Sequence, residues 1–126
     1  MGQLQEIHSE LIELGYRIIA ISPDRPEKVS ELMEKRKLDY LLLSDSKMTA
    51  AKAFGVAYEV DEETLKLYKG FGINLEEASG EDHNLLPVPS VFVVGADGII
   101  DFQYVNPDYK IRIDPDVLLA AAKAAL

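Results

Sequence analysis

The 126-residue chain is of single-domain length, and its composition, 48% hydrophobic and 28% charged, is that of a globular protein rather than a disordered one. Thirteen basic against twenty-two acidic side chains leave a net −9, which argues against nucleic acid or an anionic membrane as the main partner, because like charges repel. No run approaches the about twenty apolar residues that span a bilayer, residues 1–9 lack signal-peptide order, and there are no cysteines, which excludes disulfides, thiolate metal sites and a cysteine nucleophile within these residues.

In chain order, Leu4, Ile7, Leu11 and Leu14 recur at helical spacing, and Gly15 stands where a left-handed C-terminal cap belongs. Tyr16 to Ile21 reads as a buried, β-branched strand closed by Ser22-Pro23. Pro26 opens a second helix with Val29, Leu32 and Met33 on its inner face. Leu41-Leu42-Leu43 is a short buried strand, and Asp45 or Ser46 caps a third helix, Met48 to Phe54, which Gly55 ends. Asp61 to Lys69 is expected to be helical, with Leu65 and Tyr68 as its apolar contacts, and Gly70 to Leu86 to be irregular and acidic. Val91-Phe92-Val93-Val94 and Ile99 to Val105 are two strands around Gly95-Ala96-Asp97-Gly98, where Asp-Gly is a strong hairpin signal because both residues tolerate positive φ. Asp114-Pro115 starts a last helix in the preferred order, cap then proline.

A strand–helix alternation that ends in a hairpin is an α/β arrangement with a mixed sheet flanked by helices. No repeat, low-complexity tract or linker divides it, so residues 1–126 are expected to form one domain. The chain opens on an amphipathic helix, yet the strand that follows reads as buried on both faces. A strand is expected to be missing ahead of it, which makes the domain N-terminally truncated.

Residues able to do chemistry are few. Ser22 and Ser90 are poor nucleophiles, since no histidine lies near either in sequence to serve as base. His8 reads as a partly exposed surface group. Glu81-Asp82-His83 could ligate a metal but lacks further ligands at defined spacing, so it reads as an acidic loop and no metal or cofactor is expected. Glu62-Glu63, Glu76-Glu77 and Asp114-Asp116 read as solvated faces and caps. In Asp101-Phe102-Gln103-Tyr104 the alternation suits a strand with one packed face and one wetter one. Proline removes a ladder donor and lowers the trans preference, so Pro87-Val88-Pro89-Ser90 belongs at the start of a strand and is compatible with a cis bond.

Ile19-Ala20-Ile21-Ser22-Pro23-Asp24 resembles the strand-end signature of the alkyl hydroperoxide reductase / thiol-specific antioxidant family, the peroxiredoxins and their relatives. Leu42-Leu43-Ser44-Asp45 and Ala53-Phe54-Gly55-Val56 resemble that family's next strand and helix. Pro87 to Val94, followed by Asp97-Gly98, resembles the proline-then-hairpin of the thioredoxin fold. The resemblance runs over most of residues 4 to 122, with the motifs in family order. It implies a thioredoxin-like mixed sheet lacking its N-terminal and central strands, and an antioxidant oxidoreductase that reduces peroxides through a thiolate regenerated by a dithiol partner.

The departures matter equally. Family members carry the catalytic cysteine at the start of the helix that here begins near Gly2, after a central strand, and these residues hold neither. The arginine that typical peroxiredoxins place before the penultimate strand falls near Pro89, which points to the C-x-x-C-bearing relatives whose cis-proline packs against the active-site sulfurs. By that similarity Val88 and Pro89 line the thiol site. The chain itself is expected to be inactive, and its strand edges to drive homo-oligomer formation or direct pairing of Ile18–Ile21 with Val91–Val94. With no leader or spanning segment, a cytoplasmic location is expected. Two other readings stand beside it. One is a cysteine-free thioredoxin-fold module acting only by binding or assembly. The other is a phosphoacceptor receiver using Asp24 or Asp45, which the hairpin disfavours.

Overall fold

The computed structural model describes residues 2–37, 40–108 and 113–126. Twelve elements follow one another along the described chain: α1 (Gly2–Glu13), β1 (Ile19–Ser22), α2 (Pro26–Arg36), β2 (Leu41–Ser44), α3 (Thr49–Ala53), β3 (Ala57–Glu59), α4 (Glu62–Gly70), α5 (Leu75–Ser79), β4 (Leu85–Pro87), β5 (Ser90–Val94), β6 (Ile100–Val105) and α6 (Pro115–Ala124). The class is mixed α/β, as expected. The strands pair as three two-stranded ladders, β1 with β2, β3 with β4 and β5 with β6, so the described ladders do not join β1 to β5. The chain divides into two compact units.

The first unit comprises residues 1–19, 38–41 and 88–126. Its core gathers Ile7, Leu11, Val93, Leu118 and Ala122, with Leu14, Tyr16, Ile18, Val91, Phe102 and Leu119 packed around them. Ile7 and Leu11 are one helical turn apart, which is why the α1 periodicity seats both on α6 and the β5–β6 hairpin. Leu4, expected on the same face, lies outside the described side chains. Gly15, at φ 92°, ends the helix: its N–H donates to the Ile12 carbonyl and that of Tyr16 to the Leu11 carbonyl. Only a residue without Cβ takes that conformation at no steric cost.

The β5–β6 hairpin is antiparallel, with Ser90 opposite Val105 and Val93 opposite Phe102. Phe102 and Tyr104 are half-buried while Asp101 and Gln103 are exposed, the alternation read from the sequence. The turn differs from the expected Asp-Gly type. Gly98 alone takes positive φ, at 82°, while Asp97 Oδ1 accepts the Ile99 N–H and Gly98 donates to the Gly95 carbonyl. Asp97 thus acts through its side chain, closing an Asx-type turn. A register shift at Val93/Val94 makes room for the longer loop. Asp114 caps α6 by accepting the Asp116 N–H at 2.8 Å, ahead of Pro115.

The second unit comprises residues 20–37 and 42–87. Val29, Leu42, Met48, Ala51 and Val60 are its buried apolar residues. Pro26 opens α2 as expected, and Lys37 in left-handed conformation closes it. The stretch expected to be irregular contains ordered structure: α5, capped by Asn74 on the Glu77 N–H, and β4, antiparallel to β3. Three-residue strands and a five-residue helix carry too few residues for a periodicity to register.

Two strands are less buried than their composition suggests. Ile19 and Ile21 on β1 are 51% and 48% exposed, and Leu43 on β2 is exposed as well, whereas Leu42 is enclosed. Each ladder has only two strands, so a continuous apolar run is covered along one side alone. No helix among the described residues is long and apolar enough to cross a membrane.

Candidate functional site

Of the polar residues singled out in the sequence, Ser22, Asp24, Asp45 and His83 meet around the ends of β1 and β2, within the second unit. Ser22, buried, donates from Oγ to Asp24 Oδ2 at 3.1 Å and accepts the Asp24 N–H at 3.2 Å. Ser44 Oγ donates to the Asp24 carbonyl, and the Asp45 N–H donates to the Ser22 carbonyl at 2.7 Å. Both strand ends are thereby tied together immediately after the ladder stops. The proline at position 23 has no N–H to satisfy, and Asp24 can turn because the Ser22 and Ser44 hydroxyls take up its backbone N–H and carbonyl.

Asp45 then reaches forward. Its two carboxylate oxygens accept the N–H groups of Ala50 at 3.0 Å and Ala51 at 2.9 Å. Asp45 was one of two expected caps for this helix, and it caps from outside the usual position. The helix begins at Thr49, one residue later than expected, because Met48 adopts a left-handed backbone at φ 62°. That conformation costs a non-glycine residue on the order of 1 kcal/mol. The Met48 side chain is completely enclosed, and its N–H donates to the Asp45 carbonyl at 2.8 Å, which together hold it there.

His83 completes the cluster from a distant part of the sequence. Its Nδ1 accepts the Leu85 N–H at 3.0 Å, so Nε2 carries the proton and donates to the Ser46 carbonyl at 2.7 Å. The imidazole links the loop after β2 to the first residue of β4. It is turned away from any joint ligand set with Glu81 and Asp82. Ser79, also buried, donates to the Leu75 carbonyl at 2.9 Å and accepts the Glu81 N–H at 3.1 Å. A cleft of about 20 Å³ lies beside Pro23, Asp24, Ser79 and His83, room for roughly one water molecule.

The Ser22, Ser44 and Ser79 hydroxyls, the Asp24 and Asp45 carboxylates and both His83 nitrogens are thus spent on the backbone or on a neighbour. Asp24 and Asp45 hold turns and a helix start, which accounts for both carboxylates without a phosphoacceptor role. Ser22 has a carboxylate partner but no imidazole, and the imidazole present holds two backbone groups. The arrangement is a clasp, not a nucleophile–base pair.

Val88 and Pro89 lie in the first unit, half-buried, between Pro87 at the end of β4 and Ser90 at the start of β5. Ser90 Oγ donates to the Val88 carbonyl at 2.8 Å, and the Pro89 carbonyl accepts the Asn106 N–H at 3.1 Å. The peptide bond before Pro89 is trans, as are all those described, which corrects the cis geometry that the proline motif allowed. The Asn106 bond extends the β5–β6 ladder by one step and accommodates the proline at the strand's beginning. His8, in the same unit, is half-buried with its ring 6.4 Å from that of Tyr40, tilted by 42°.

Two groups of the β3–α4 region are electrostatically perturbed. Burial, and then the neighbouring Tyr68, push the Tyr58 phenol above its usual range. The hydrogen bonds from Thr64 hold the Asp61 carboxyl below the usual carboxylate value.

Comparison with known proteins decides the family. The model of the AhpC/TSA family matches residues 1–103. The chain belongs to that family. Peroxiredoxin Bcp of Escherichia coli K12 is 32% identical over 116 residues, covering 92% of this chain and 62% of the relative. A putative peroxiredoxin bcp of Haemophilus influenzae is 43% identical over 53 residues, 42% of this chain and 34% of that protein. Peroxiredoxin Bcp of Bacillus subtilis 168 is 38% identical over 68 residues, 54% of this chain and 38% of that protein. The chain thus spans between about one third and three fifths of the relatives it matches. This AhpC/TSA family chain holds no cysteine. The His83–Ser46 link had no signal in sequence, since the two residues are 37 apart and each was legible only in its own local context, a helix cap and an acidic loop.

Proposed function

We propose that these residues form the cysteine-free portion of a peroxiredoxin-type domain whose intact protein reduces peroxides with a thiolate, regenerated by a dithiol reductant. The AhpC/TSA match over residues 1–103 carries this reading. The thiol lies outside these 126 residues, and the chain alone does not turn over peroxide. Val88 and Pro89 flank the thiol in the intact protein. Their support is the family motif order and a half-buried position in which a sulfur could still reach them. Self-association accompanies the proposal, through strand residues such as Ile19 and Ile21 whose apolar side chains face solvent.

The test has two arms. The purified chain, given hydrogen peroxide and dithiothreitol, is expected to match the uncatalysed rate; turnover would overturn its inactivity. The complete native reading frame that contains these residues is expected to consume peroxide with a thiol reductant, and Pro89→Asp in that protein to lower kcat/KM. A complete frame with neither cysteine nor activity would sink the peroxide reading. It would leave a thioredoxin-fold binding module, a reading favoured by the fully engaged polar groups of the β1–β2 clasp. Sedimentation velocity of the chain is expected to show oligomers, and a monomer across the accessible concentrations would refute self-association.

A further inference from the structure

In the second unit, α4 turns two large apolar side chains into solvent. Leu67 is 58% exposed and Phe71, its C-cap, 74% exposed. At a spacing of four residues they are neighbours on one side of the helix, and Glu63 precedes them in the same row. Leu65 and Tyr68, half-buried, face the other way. Ile73 follows at the helix end: its N–H donates to the Tyr68 carbonyl, which folds the chain back there, and its side chain is 47% exposed. One exposed leucine calls for no explanation, but a leucine and a phenylalanine adjacent on one helix face, with an exposed isoleucine two residues further on, do.

The surroundings say what kind of partner fits. Residues 59–82 hold eight acidic side chains and two lysines, so this stretch carries −6 of the chain's −9. All but one of those acids are exposed. Neither lysine shares the Glu63–Leu67–Phe71 row: Lys66 lies three residues after Glu63 and four after Glu62, and Lys69 faces away from Leu67. An apolar strip within so acidic a stretch disfavours a second copy of this chain, which would bring a second −6 against the first. It disfavours an anionic bilayer for the same reason. We propose that the Leu67–Phe71–Ile73 strip docks a basic amphipathic segment of a partner protein, whose apolar side chains cover the strip while its lysines or arginines meet Glu63, Glu76 and Glu77. The inference does not depend on the peroxide reading, and its test contains no peroxide.

The probe is a fluorescein-labelled amphipathic helical peptide of lysine and leucine, titrated into the 126-residue chain and followed by anisotropy. Two control peptides accompany it, one with lysine replaced by glutamate and one with the same residues in a non-amphipathic order. The amphipathic basic peptide is expected to bind roughly tenfold or more tightly than either control, and to weaken as salt rises. Leu67→Ser with Phe71→Ser is expected to weaken it by a similar factor, with circular dichroism unchanged because both side chains are already in solvent. Charge reversal of Glu76 and Glu77 to lysine should weaken it independently, whereas Val117→Ser, an exposed apolar position in the other unit, should have no effect. Equal binding of the scrambled peptide, indifference to the Leu67/Phe71 change, preferential binding to phosphatidylserine vesicles, or self-association abolished by that change would each overturn the proposal.

Discussion

The Tyr16 hydroxyl donates to the Ala122 carbonyl at 2.8 Å, joining the segment after α1 to the last turn of α6 across 106 residues of sequence. Carbonyls in a helix's last turn have no partner within the helix, and Ala122 is only 1% exposed, so water does not readily replace the phenol. Tyr16→Phe keeps the ring's packing against the core and deletes only this bond. It is expected to cost about 1 kcal/mol, read as a lower denaturant midpoint with an unchanged slope.

Asp45 is the second point of tension. It satisfies two N–H groups of a five-residue helix and lies beside a left-handed Met48. Asp45→Ala is expected to destabilise by about 1–2 kcal/mol, and Asp45→Asn, which retains one acceptor oxygen, by less. Native-state amide exchange should show the Ala50 and Ala51 amides losing protection first.

His83→Ala removes both backbone bonds of the imidazole, leaving the Ser46 carbonyl and Leu85 N–H without it. A loss of about 1–3 kcal/mol is expected, with exchange of the Leu85 amide accelerated. His83→Gln, which offers a donor and an acceptor on one planar group, should recover part of it. Full stability of the alanine variant would show that the imidazole is not a clasp.

The two perturbed groups give opposite pH signatures. The folded-state pKa of Asp61 lies below its unfolded value, so its contribution to α4 is complete above that value and is lost as pH falls through the folded one. The Thr64 amide shift, followed by NMR down the acid limb, reports it, and Asp61→Asn should flatten that titration. The folded-state pKa of Tyr58 lies above 10.0, so the contribution of its neutral phenol is present below the unfolded value and lost as pH rises through the folded one. In ultraviolet titration Tyr58 should ionise later than a free phenol, and Tyr68→Phe should move it part of the way back.

Helices were readable where caps and apolar spacing coincide. Asp114-Pro115 and Asp61 mark helix starts through their own side chains, and Ile7 and Leu11 mark the buried face of α1, all from local sequence. Strands were readable as extended, apolar segments, but not in their burial. Ile21 and Leu42 are both apolar strand residues, yet one is half exposed and the other enclosed, because cover depends on what the rest of the chain lays over each face. The short α5 and β4 escaped because their ordering comes from Asn74 and from pairing with β3.

Composition and motif order by themselves determined the acidic charge, the absence of a thiol, the α/β class and the resemblance to the AhpC/TSA family, since each depends only on which residues are present and how they are spaced. Tertiary structure decided what the polar residues do. Ser22, Asp24, Asp45 and His83 are chemically capable of catalysis, and only their placement shows each one spent on a turn, a helix start or a backbone bond. The strip on α4 is likewise apolar by sequence and exposed by fold. Hydrogen bonds and burial are relations between distant segments, and spacing along a chain does not contain them.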